Sequence, residues 1–196
     1  MDAYKNITSR EIEAKLNDGQ MRINRIISLA ILAGSFFFLL VIIMLSQKNA
    51  SVETTTSMVG DPNIFLIVFL ALGFIVYSTF MVFPKIFLRK DNLMKLLSVS
   101  SDDKTQDVIF DPVVKLIGID RTLMIIRLAQ LEGITLFGLV ILMMNVKDKN
   151  VFAIPTNWIF LIPLFFQLIY VLNNCITTEK TVARIEANIL SAIKKE

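Results

Sequence analysis

The chain has 196 residues, 55% of them hydrophobic, and a mean hydropathy of +0.65, well outside the range of a water-soluble domain. Its 20 Lys and Arg against 17 Asp and Glu leave a net charge of +3, and acids are interspersed through every basic segment, which argues against a nucleic-acid partner. It has no histidine, one cysteine (Cys175), no zinc pattern, no phosphate-binding glycine loop and no G-x-S-x-G elbow; these absences argue against a metal, a cofactor, an intrachain disulfide or an enzyme.

In chain order, Thr8 to Ile23 reads as a short amphipathic helix, with Thr8 or Ser9 as cap, Glu11 and Glu13 in the first turn, and Ile12, Leu16 and Ile23 near one face. The first apolar run follows at 26–45. It begins too late and is too long for a signal peptide, so it is expected to remain in the mature chain. The loop from Ser46 to Asn63 is rich in Ser and Thr, and its Asn49-Ala50-Ser51 sequon reads as a chance match. A second run at 64–83 ends before Pro84. The basic amphipathic stretch 85–97 after it is expected to lie along the inner headgroups.

Residues 98–111 have the composition of a linker. The third and fourth apolar runs are 123–144 and 154–172, and a C-terminal amphipathic helix is expected over 178–195, with Val182, Ile185, Ile189 and Ile193 on one face. Each run supplies the ~20 residues that cross ~30 Å of hydrocarbon. The expected class is an all-α integral membrane protein with four transmembrane helices. Sixteen Lys and Arg fall in the two terminal arms and the central loop against three in the other two loops, which places both termini in the cytoplasm of a cell (inner) membrane. The lipid bilayer and its anionic headgroups are the first expected partners.

The runs are related to one another. Ile26–Leu45 set without gaps under Ile125–Met144 gives eleven identities in twenty positions, and Ile64-Phe65-Leu66-Ile67 recurs as Ile159-Phe160-Leu161-Ile162. The chain therefore reads as two tandem hairpin units in the same orientation, 1–97 and 112–196. The matched pairs Ala30-x-x-x-Gly34 and Ala129-x-x-x-Gly133 are small-residue motifs on which the first and third spans are expected to pack.

The copies differ most where Ser28, Ile31 and Ala33 become Arg127, Gln130 and Glu132. Glu132 lies ~13 Å beyond Leu123 at 1.5 Å per residue, near the bilayer centre. An ionised carboxylate there costs several kcal/mol, so a neutral, paired or hydrated group is expected. Arg127 is five residues away, ~140° around the helix, and snorkels to the inner face instead of forming a simple intrahelical pair. Ser35, Tyr77, Ser78, Thr79, Gln130, Thr135 and Gln167 are expected to complete a polar layer in the inner half, helped by a carbonyl of Ile159 freed by Pro163. The outer half is almost wholly apolar, which argues against a continuous pore.

Residues Ala129–Met144 (AQLEGITLFGLVILMM) resemble the carboxylate helix of rotary-ATPase proteolipids, where a Glu followed by a small residue precedes an aromatic-Gly-Leu-Val run. In that family the Glu carries the translocated proton. Here the carboxylate lies on the first helix of its hairpin, the dense glycine repeat is missing and long charged arms are present. The likeness is read as convergence on one kind of intramembrane carboxylate. The expected function is a non-enzymatic accessory or scaffolding subunit, alone as a homo-oligomer or with a protein partner. The alternative is a small transporter or proton-coupled unit centred on Glu132.

Overall fold

The computed structural model describes residue 4 and residues 6–49, 62–98, 111–146 and 151–194. Ala50 and Ser51 of the Asn49-Ala50-Ser51 sequon and nearly all of the 98–111 linker lie outside them. The described residues are helical, with no strand: α1 (Ser9–Lys15), α2 (Met21–Asn49), α3 (Pro62–Phe87), α4 (Lys90–Ser98), α5 (Pro112–Asn145), α6 (Ile162–Asn174), α7 (Thr178–Ile185) and α8 (Ser191–Lys194). π-helical turns at Leu16–Gln20 and Glu186–Leu190 join α1 to α2 and α7 to α8, and 3-10 turns cover Val151–Ala153 and Pro155–Leu161. Four stretches are long and apolar enough to cross a membrane: Met21–Lys48, Ile64–Phe87, Pro112–Asn145 and Pro155–Asn174.

Several boundaries differ from those read in the sequence. Thr8 does cap α1: its backbone N–H donates to Glu11 Oε2 at 2.8 Å and the Glu11 N–H returns to Thr8 Oγ1. The arm then runs into the first apolar helix through a π turn, within which Gly19 adopts φ +102°, a conformation that favours glycine. Gly118, which falls opposite Gly19 when the gap-free alignment is extended at the same offset of 99, sits in regular helix inside α5. Pro84 does not end α3, which continues to Phe87. α5 starts eleven residues before the expected third run, since Asp111 accepts the Val113 N–H at 2.9 Å and Pro112 supplies the first helical position. The carbonyl of Ile159 is not freed by Pro163. It accepts the Ile162 N–H in the 3-10 pattern, and Pro163 occupies the first turn of α6, where no N–H is needed.

The chain divides into two compact units, each drawn from separated segments: 1–27, 80–126 and 173–196 in the first, 28–79 and 127–172 in the second. In the first unit the amphipathic pieces bury their apolar faces against one another. Ile12 and Leu16, Leu93 and Leu97, Leu116 and Ile117, and Ile185 and Ile189 form one core, and each such side chain contributes roughly 1.5–3 kcal/mol on burial. Leu93 and Leu97, expected on the headgroups, are inside this core.

The second unit has its own core of Ile42, Phe69, Leu139, Leu142, Val151 and Phe160. Phe69 meets Phe160 edge-on at 4.9 Å between ring centroids. A Cβ on Gly138 would stand 2.5 Å from the carbonyl oxygen of Phe160, so only glycine lets α5 and the 3-10 turn approach this closely. Asn157 Nδ2 and Trp158 Nε1 donate to the carbonyls of Val151 and Phe152 at 2.9 and 3.1 Å and close that turn on itself.

Candidate functional site

In the second unit, Ser28, Ser35 and Ile42, spaced seven apart on α2, are fully buried, and Ser46, one turn beyond Ile42, is nearly so. Ser35 Oγ donates to Gln167 Oε1 at 3.3 Å, joining α2 to α6 as the sequence suggested. Gln167 is fully buried, yet among the described residues its Nε2 has no hydrogen-bond partner, an omission that costs ~1–3 kcal/mol. Thr135 is buried and donates back to the Leu131 carbonyl at 2.7 Å.

Glu132 is half-buried. Among the described residues no hydrogen bond or ion pair reaches its carboxylate, and Oε1 lies 3.7 Å from where a Cβ on Gly34 would be. Gln130 and Arg127 are half-buried on the same helix, the Gln130 Oε1 without a partner.

The rest of the expected layer is not assembled. Tyr77 is 57% exposed, Ser78 is half-buried, and Thr79 satisfies its hydroxyl on the Val76 carbonyl of its own helix at 2.8 Å. An exposed phenol and a back-bonded hydroxyl need no shared layer. The small-residue motifs also behave differently from expectation. Ala30, Gly34, Ala129 and Gly133 are all exposed, and nothing stands within 4 Å of a Cβ built on Gly133. Polarity outranked size: turning Ser28 and Ser35 outward would strand hydroxyls in an apolar surround, whereas alanine and glycine lose little there.

The first unit holds the strongest polar contacts, which sequence reading missed. Asp120, 2% exposed, accepts from Arg184 Nε at 2.7 Å and Nη2 at 2.6 Å in a bidentate pair, while Arg184 Nη1 reaches the Asn174 carbonyl at 2.6 Å. Arg121 Nε donates to Asn24 Oδ1 at 2.7 Å and its Nη2 to Gln20 Oε1 at 2.6 Å, and Arg25 Nε donates to the Ile176 carbonyl at 2.8 Å. The available signal was Asp120 on the apolar stripe of α5, between Ile117 and Met124, a position that demands a cation.

A cleft of ≈ 430 Å³ between α1 and the start of α5 is walled by the Lys15–Asp111 ion pair at 3.0 Å and by Glu11 and Ile7. Burial pushes the Asp111 carboxyl up, but the Lys15 ammonium and the Val113 and Val114 amides outweigh it and hold the group below the usual carboxylate range.

The chain matches no protein-family model, no curated protein and no solved structure. Its reading rests on its own geometry.

Proposed function

We propose that this chain is a small, non-enzymatic, multi-pass protein of a bacterial-type inner membrane, with both termini cytoplasmic, serving as an accessory or scaffolding subunit. The observation that carries the reading is the first unit. Its amphipathic helices bury their apolar faces in a shared core and are fixed by arginine contacts, which makes a preformed platform in a chain that also carries four apolar helices. At 34 residues, α5 is about 51 Å long, more than ~30 Å of hydrocarbon requires, so its first turns are free to belong to that platform.

Tandem duplication also fits the division of the chain. The boundary between units falls at Ile27/Ser28 and at Ile126/Arg127, which are equivalent positions in the gap-free alignment.

Since Ile185 and Ile189 are fully buried, a partner would meet the polar outer side, where Arg10, Glu13 and Glu179 are exposed. Native electrophoresis of gently solubilised membranes tests this. The wild type is expected in an assembly, and combined charge reversal at those three positions should release it without lowering its Tm. A wild-type protein that runs alone overturns the proposal.

A second reading, a small transporter or proton-coupled unit using Glu132, draws on the unfilled Gln167 amide and the unpaired carboxylate.

A further inference from the structure

Within the second unit, the exposed positions of α2 and α3 carry bulky apolar groups: Phe37 is 70% exposed, Ile26 lies just before them on α2 at 58%, and Phe74 is 73% exposed. One level is different. Ala30, Ala33 and Gly34 on α2 and Ala129 and Gly133 on α5 are all exposed and all small. Glu132 Oε1 lies 3.7 Å from where a Cβ on Gly34 would stand, which sets these two stretches side by side.

At ~100° per residue, Glu132 falls ~60° from exposed Ala129 on one side and ~60° from buried Thr135 on the other. Its half-buried carboxylate therefore stands at the α2–α5 seam, in a notch rimmed by small residues. It has neither a hydrogen bond nor an ion pair among the described residues.

We propose that this notch seats a transmembrane helix of a different polypeptide, one that brings a basic side chain, Lys or Arg, to Glu132. The inference rests on the reading that α2 and α5 cross a bilayer. Lipid tails supply no donor for a carboxylate, and a membrane-buried ammonium or guanidinium has the complementary need. The small rim lets a second backbone come close, and close approach is what makes a polar contact between membrane helices form. Arg127 cannot fill the role on its own helix, being ~140° away. A second, parallel copy would set Glu132 against Glu132 at one depth, bringing like charges together.

The test uses the full-length protein in phosphatidylcholine vesicles and a labelled Leu/Ala single-span peptide with one central lysine, read by energy transfer. The lysine peptide is expected to bind about tenfold tighter than its all-Leu/Ala version. Glu132→Gln should bring the two to the same level, and Glu132→Lys should switch the preference to a peptide with central glutamate. Gly133→Leu, whose side chain enters open space and so leaves the fold intact, should block the lysine peptide.

Equal binding of both peptides by the wild type, or no change with Glu132→Gln, overturns the inference. So does Glu132-dependent self-association between labelled copies, since the occupant would then be the same chain. Flotation of the protein with alkaline-washed vesicles is measured alongside. Failure to float overturns the membrane reading as well, whereas flotation without lysine-dependent transfer overturns this inference alone.

Discussion

The Asp120–Arg184 pair of the first compact unit and the Gln130, Glu132 and Gln167 side chains of the second are satisfied to different degrees. In the first, Asp120 uses both carboxylate oxygens on one guanidinium and Arg184 fills its third nitrogen with a carbonyl. In the second, the Gln167 amide nitrogen and the Gln130 oxygen find no partner, and the Glu132 carboxylate has none among the described residues. A fully paired network specifies one packing, while a half-filled one keeps capacity for something outside the chain.

The largest effect should come from breaking the paired network. Asp120→Ala strands a buried guanidinium and should cost ~3–5 kcal/mol. Hydrogen exchange should then accelerate in Thr178–Ile185 well before the amides of residues 28–45 respond, and uniform loss of protection across both units would break the contrast. Next is Gly138→Ala. Alanine gains up to ~1 kcal/mol of helix propensity, but its Cβ meets backbone at 2.5 Å, an overpacking that costs ~1–3 kcal/mol, so thermal melts in detergent should show net destabilisation. The control is Gly118→Ala in the same helix: with nothing within 4 Å, it should be neutral or stabilising.

The smallest effect is the pH response of Asp111. Its folded pKa is lowered, so its contribution is complete above the unfolded value of about 3.9 and fades as pH falls through the folded value below that. With Lys15 44% exposed, the effect should stay within ~1 kcal/mol, and Asp111→Asn should flatten the acid limb of the stability curve.

The four apolar helices were legible because all-round apolarity over ~20 residues has few other readings. The C-terminal stripe of Val182, Ile185, Ile189 and Ile193 was equally plain, and all four are buried. What covers such a stripe was not legible. An amphipathic helix has the same pattern whether it rides on headgroups or packs on another helix, so Leu93 and Leu97 were assigned to lipid although they fill a protein core. The Asp120–Arg184 pair joins residues 64 apart in the chain, beyond the reach of any local period. At the candidate site, Ser35 and Gln167 were placed in one layer by depth, which depends only on counting along each helix, and the two share a hydrogen bond. Tyr77, placed by the same count, is exposed: depth says nothing about which way a side chain turns.

Gly138 also bears on history. The aligned residue of the first hairpin is Leu39, and the Phe160 carbonyl leaves no room for a side chain of that size. If the hairpins arose from one ancestor, then once the 3-10 turn had settled against Gly138 the way back to a leucine was closed. The halves would have ceased to be interchangeable parts. A chimera with the first hairpin's helix in the second position would inherit the clash, while the reverse exchange would only leave an unfilled gap.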